Sequence, residues 1–444
     1  MKLAYPILIA QLIQNLMGFA DTVMAGRVSA TDMAAVAVAS SVWLPLILAI
    51  SGLIMALASI ISQLSGANQF DNIAKVSYQT AWIAVFFSII IIILYYIATP
   101  LLIDSIAMEP ELKQLMFDYL GYIVWGGPGY CLYLVLRNYS EGLSFSRPTM
   151  IISILGLLIN IPANYIFIYG EFGMPALGGA GCGLATAIVY WVMFAGMLAY
   201  AYYSKHLKQA PLFTKFYWPQ WSEIKVILAL GTPIAFSLLF EVSLFAAVAI
   251  ILIPFGANVV ASHQIAINFS GLVFMVPLSL AMAVTIKVGF EVGNKNLEKA
   301  KELCRYSVIL GLIIAVATAA ATLIFKTQIA AIYTSDTEVL ELAAGLMFLA
   351  ALFQFSDAIQ VISAGALRGY KDTKSILYIT FFSYWVVGLS FGLILGLTDW
   401  IAPASGPYGF WIGFISGLTV AAVLLAWRLK VVQNRFDQQA ALAS

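Results

Sequence analysis

The chain has 444 residues, 62 % of them hydrophobic and 10 % charged, against about 45–50 % and about 25 % in soluble globular domains. That balance excludes a soluble enzyme, and the formal net charge of +1 supplies no basic surface for nucleic acid. Cys131, Cys182 and Cys304 are too few and too scattered for a disulfide or zinc framework and read as small apolar fillers.

A window of about 20 apolar residues selects twelve segments in chain order: 4–25, 34–62, 76–100, 116–139, 149–169, 178–203, 225–254, 260–286, 304–326, 339–366, 375–397 and 407–428. The N-terminus shows no signal-peptide cleavage pattern and runs into the first segment after Met1, Lys2 and Leu3. An even number of crossings puts both termini on one side. Of the 22 Lys and Arg, all but Arg27, Lys113 and Lys326 fall on that side, so the positive-inside bias predicts cytoplasmic termini. The polar stretch from Lys205 to Lys225, with Pro211 and Pro219, is the longest internal connection. It divides the chain into an N-terminal six-helix bundle (1–204), a cytoplasmic linker (205–224) and a C-terminal six-helix bundle (225–444).

The halves repeat. Pro6 matches Pro233, Ala30 matches Ala257 and Gly66 matches Gly293 at an offset of 227, and Leu143 and Thr149 match Leu367 and Thr373 at 224. Six is even, so the copies share one topology, as parallel repeats about an axis along the membrane normal. The expected fold is an all-α polytopic membrane protein, twelve transmembrane helices as two parallel six-helix repeats around a central cavity.

Three carboxylates fall inside apolar segments: Asp21 in the first, Glu241 in the seventh and Asp357 in the tenth. An acid at bilayer depth costs roughly 2.5–3.5 kcal/mol on insertion scales. The quoted apolar stretches hold no Lys or Arg, so the expected counter-charge is mobile: a proton, a metal ion or a cationic substrate. That reasoning points to a coupled transporter. The acids break the repeat, since Glu241 aligns with Gln14, Asp357 with Tyr133, and Asp21 with Val248.

Polar stripes accompany each acid. Gln11, Gln14, Gly18 and Asp21 share one helical face, which should turn from lipid because lipid offers a glutamine no hydrogen-bond partner. In the fifth span Asn160 and Asn164 lie four apart, and Pro162 frees the carbonyl of Leu158. With Thr186 from the sixth span these groups suit an oxygen-rich site or a proton relay. In the second half Ser237 and Glu241, Gln264 and Asn268, and Gln354, Asp357 and Gln360 form three further stripes. Two carboxylates with amide and hydroxyl oxygens suit sodium or a proton. His263 reads as a packing residue. The aromatics Phe353, Phe355, Tyr130, Tyr133 and Phe274 are packing candidates, and some of them could line a pocket for planar cations.

These residues resemble a known family. The N-terminal Pro6, Gln11, Asp21, Thr22, Gly26 and Arg27, the loop SEGLSFSRPTM followed by NIPANY, then Pro233, Glu241, HQIAINF from His263 to Phe269, and ALRGYKDT from Ala366 to Thr373 look like the multidrug and toxic compound extrusion (MATE) family. Having both Glu241 and Asp357 resembles its bacterial NorM branch; the DinF-type branch relies mainly on the first-span aspartate. The resemblance covers essentially the whole chain; only the short lead before the first span departs from it. It implies an antiporter in the bacterial inner membrane, exporting cationic or amphipathic drugs by alternating access in exchange for sodium or protons, with no organic cofactor and working as a monomer among membrane lipids. It also implies that Glu241 and Asp357 are the cation-site carboxylates (the sodium ligands, if sodium is the ion), with Gln264 nearby, and that Asp21, Asn160, Asn164, Thr186 and Gln14 form a first-bundle coupling cluster. Phe353, Tyr133 and Phe274 are its candidate drug-pocket residues.

Two rival readings make different demands. A flippase for lipid-linked saccharides or lipids, on related architecture, calls for a cationic cavity, and the spans are read here as lacking Arg and Lys. An intramembrane aspartyl protease calls for GxGD, whereas Asp357 sits in FQFSDAIQ. The chain is therefore expected not to be an enzyme.

Overall fold

The computed structural model describes residues 2–105 and 109–443, and among them every regular element is helical. In the first half these are α1 (Ala4–Gly26), α2 (Ala30–Gly66), α3 (Asp71–Ser105), α4 (Pro110–Ile123), α5 (Gly127–Gly142), α6 (Arg147–Tyr169) and α7 (Ala180–Tyr203). The second half has α8 (Trp221–Ile251), α9 (Ala257–Gly293), α10 (Leu297–Tyr333), α11 (Thr337–Gly369), α12 (Thr373–Phe381), α13 (Ser390–Leu397) and α14 (Pro407–Ala443). A π-helical stretch, Phe382–Leu389, joins α12 to α13 into one crossing.

Among the described residues 11 helical stretches are long and apolar enough to cross a membrane. The remaining expected crossing, 116–139, is broken: α4 ends at Ile123, a 3₁₀ turn occupies Val124–Gly126, and α5 restarts with Pro128 in its first turn. Proline has no N–H for the helical ladder, so Gly126-Gly127-Pro128 cannot continue α4 without a lost bond. Neither piece alone is long enough to cross. Together they provide the fourth crossing.

Contacts divide the chain into two units, Lys2–Ala235 and Phe236–Ser444, with the boundary inside α8. In the first unit α1 packs on α6, α6 on α7, and α5 on both α2 and α7. One end of this unit is tied by Asp32. The Ser29 hydroxyl caps α2 by accepting the Asp32 N–H and donates to Asp32 Oδ2 at 2.6 Å, while Asp32 Oδ1 accepts the Gly179 N–H at the start of α7. Gly178 beside it has φ +57°, and a Cβ there would strike Asp32 Oδ1; only glycine fits.

The second unit packs α11 against α9, α10 and α14. Along α14, glycines admit close backbone approach: a Cβ on Gly413 would come within 2.6 Å of the Gly388 carbonyl oxygen, and one on Gly417 within 2.7 Å of that of Ser383. In lipid, where helices gain nothing by hiding apolar faces from water, such small-residue contacts supply the association energy.

The connection from Lys205 to Gln220 lies against the first unit. Gln79 of α3, fully buried, donates to the Trp218 carbonyl at 2.9 Å and accepts the Gln220 N–H at 2.8 Å. Trp82 Nε1 donates to the Tyr217 carbonyl at 3.1 Å, and Lys75 pairs with Glu223 at 2.8 Å. Replacing Gln79 by Ala removes both anchors, at about 0.5–1.5 kcal/mol for each hydrogen bond lost. Gln79→Ala is therefore expected to speed limited proteolysis within 205–220 while the helical circular dichroism stays unchanged; unchanged cleavage would mean the aromatic contacts alone hold the strap.

Candidate functional site

The helix spacing that puts Asp21 on the stripe of Gln11, Gln14 and Gly18 also turns it toward α6 and α7. Its carboxylate is buried and accepts three hydrogen bonds: from Asn160 Nδ2 at 3.1 Å, Asn164 Nδ2 at 2.6 Å and Thr186 Oγ1 at 3.0 Å. Asn164 also donates to Asn160 Oδ1 at 3.2 Å. The four residues grouped from sequence thus meet at one point. All three donors are neutral, so the charge is held by dipoles rather than by an ion pair.

Asp21 opens on a cavity of about 430 Å³ within the first unit, walled by Trp43, Tyr119, Tyr130 and Tyr190 and by Gln14 and Thr186. Its size is in the range of small-molecule sites and its aromatic walls suit cations. Tyr133 is not among these walls. It is fully buried, its hydroxyl 3.5 Å from Ser153, with its ring against Tyr130, which does line the cavity. Both tyrosines lie on α5, three residues apart, and only the Tyr130 ring reaches the cavity.

In the second unit Asp357 is buried, with Gln360 Nε2 at 3.4 Å, and Gln354 one turn away donates to Thr322 Oγ1 at 3.0 Å. Asp357, Gln354, Phe353 and Phe274 line a narrow cavity of about 10 Å³, the space of a single water. Glu241 is half-buried and lies within Coulombic range of Asp357. Gln264 stands apart: it donates to Asn268 at 3.1 Å on an exposed face of α9, with no hydrogen bond to either acid. His263 accepts from Trp411 Nε1 at 3.2 Å in the core. The three cysteines are buried and free.

The expectation that the spans carry no fixed cation is corrected. α11 runs on to Gly369, three residues past the apolar window, and brings Arg368 into the interior within Coulombic range of Glu241. In the first unit α5 buries Arg137 together with Glu141, Nε to Oε1 2.8 Å, with Gln11 Oε1 at 3.5 Å from Nη1. Both arginines sit at the ends of apolar windows, where charge reads as interfacial. The signal that would have found Arg137 and Glu141 is their i, i+4 spacing.

The profile of the MatE family matches residues 6–166 and again 233–394. The chain belongs to the MatE family. One profile matching each half is the duplication read from the repeated Pro, Ala and Gly positions. A probable multidrug resistance protein NorM of Shewanella oneidensis is 49 % identical over 433 residues, 98 % of this MatE chain and 94 % of that protein. The multidrug resistance protein MdtK of Photorhabdus laumondii is 51 % identical over 438 residues, 99 % and 96 % of the two chains. The outward-facing structure of a multidrug resistance MATE family transporter of the MOP superfamily aligns over 98 % of this chain and 96 % of that one, with a TM-score of 0.88 at 21 % identity. The MatE fold is thus shared far beyond recognisable side chains.

The buried Arg137–Glu141 pair gives a test of how this MatE protein handles charge. Arg137→Met strands a buried carboxylate and is expected to cost about 3–5 kcal/mol, whereas Arg137→Met with Glu141→Leu should recover most of it. Thermal unfolding of the two variants in detergent measures the difference. Equal losses would show that the pair is held by packing rather than by mutual neutralisation.

Proposed function

We propose that the chain is a multidrug antiporter of the bacterial inner membrane, exporting cationic or amphipathic compounds in exchange for protons or sodium ions. The observation that carries this reading is Asp21: a buried carboxylate with only neutral donors, facing an aromatic cavity. Such a group binds whatever positive charge arrives. Its three partners are hydrogen donors, a set suited to a carboxylate that gains and loses a proton and poorly suited to ligating a metal.

The second unit offers a different charge balance. Glu241 and Asp357 share the interior with Arg368, leaving one net negative charge, which one monovalent cation would cancel. In this reading Glu241 and Asp357 form the sodium-competent site and Asp21 the proton site. Residues 1–204 and 225–444 act as the two moving bundles joined by 205–224, both termini are cytoplasmic, and the monomer is the working unit. Coupling requires drug and ion to depend on the same charge, because a ligand shifts a conformational equilibrium only by its differential affinity for the two states.

The flippase alternative would need positive charge to spare for a pyrophosphate. Arg137 is already neutralised by Glu141, and Arg368 is outnumbered by acids. The relatives, multidrug resistance proteins at about half identity over nearly full length, support the drug reading.

The test is ethidium efflux from energised vesicles with sodium and pH gradients imposed separately. Asp357→Asn is expected to abolish sodium-driven efflux, and Asp21→Asn to abolish proton-driven efflux. Efflux by Asp357→Asn at the normal rate under a sodium gradient would remove the second-unit acids from coupling, and no ethidium movement in wild type under either gradient would overturn the drug reading itself.

A further inference from the structure

We propose that Tyr384 is an oxygen ligand of the second-unit cation site, aimed there by the π-helical stretch between α12 and α13. The proposal rests on the reading of Glu241 and Asp357 as that site. Two carboxylates alone do not enclose a hard cation, which takes most of its ligands as oxygens. Among the described residues no group of three or more His, Cys, Asp and Glu comes together. A cation held at Glu241 and Asp357 therefore needs neutral oxygens as well.

The backbone shows where one of them comes from. On this crossing buried positions recur at 376, 380, 384, 388, 392 and 396, every fourth residue, with Thr373 and Ser383 buried as well. At 3.6 residues per turn a four-residue repeat drifts steadily around an α-helix. The wider turns of Phe382–Leu389, the single π-helical stretch among the described residues, offset that drift and keep the stripe on one line. Gly388, Gly392 and Gly396 lie along the α14 contact, and Tyr384 is the large polar residue in the stripe. π-turns inside α-helices are rare and recur at functional positions.

The same stretch is fastened beside one of the acids. Trp385 Nε1 donates to the carbonyl of Phe240 at 3.2 Å, and the rings of Phe381 and Phe240 lie 5.0 Å apart; the residue after Phe240 is Glu241. Tyr384 itself is buried, its hydroxyl has no hydrogen-bond partner, and it lies within Coulombic range of Glu241, Asp357 and Arg368. A buried phenol left unmatched is a standing cost. A cation accepting its lone pair removes that cost, because the phenolic oxygen can accept as well as donate.

Tyr384→Phe removes the oxygen and keeps the ring. Purified wild type, Tyr384→Phe and Asp357→Asn are titrated with sodium chloride against choline chloride at constant ionic strength, reading thermal unfolding, with ethidium binding measured in parallel. Ligand binding to the folded state raises the unfolding temperature. Without sodium, Tyr384→Phe should unfold at or above the wild-type temperature, since it loses only an unmatched hydroxyl. Its half-saturating sodium concentration should rise about ten-fold or more, with ethidium binding unchanged. A sodium response equal to wild type in Tyr384→Phe, with the response lost in Asp357→Asn, overturns the role of Tyr384 and leaves the acid site standing. A wild type with no saturable sodium response, or an Asp357→Asn variant that keeps it, overturns the site and this proposal together.

Discussion

Inside a bilayer a polar group has no water to fall back on, so each one buried in this chain must be matched by the protein or by something the protein carries. Asp21 meets that demand with two asparagines and a threonine from helices more than a hundred residues away in sequence. The arrangement fixes α1, α6 and α7 against one another. The wall it creates is also where the aromatic cavity opens. Packing of the first unit and its capacity to bind positive charge are consequences of one carboxylate being kept away from lipid.

The two units answer the same demand differently. The first keeps a close buried ion pair, Arg137–Glu141, self-contained, while Asp21 is met by neutral donors. The second sets two acids and an arginine within mutual reach, so its charge state depends on all three. Repeats that began alike have become a site governed by hydrogen bonding and one governed by charge balance.

Much of this was legible in the residues. Apolar length gave the crossings, the repeated Pro, Ala and Gly positions gave the duplication, helical spacing paired Asn160 with Asn164 and set Asp21 on its own polar stripe, and the family resemblance joined Asp21, Asn160, Asn164 and Thr186. The features that escaped share a physical cause. Arg137 and Arg368 lie at the margins of apolar windows, where a hydropathy average cannot tell an interfacial charge from a buried one. The break at Val124–Gly126 and the π-helical stretch alter the count of residues per turn, and every face assigned by constant periodicity shifts beyond such a point. Tyr133 and Gln264 both lie on regular α-helix; there periodicity gives a face but not which neighbour that face meets.

The strap formed by residues 205–220 bears on how the protein is made. Its anchors, Gln79, Trp82, Lys75 and the Tyr139 hydroxyl that donates to the Ala210 carbonyl at 2.6 Å, all belong to the first half. Once the ribosome has passed α8, the first unit holds every partner it needs to close its own end. At about 5–20 residues per second, the second half emerges over the following ten to forty seconds, roughly. Through that interval the first half already contains the strap's anchors, the three donors to Asp21 and the ion-pair partner of Arg137. Its buried acid and its arginine have their partners within the same half, so the chain can match both before the homologous helices are made, and the order of synthesis then favours pairing within a repeat over pairing between repeats.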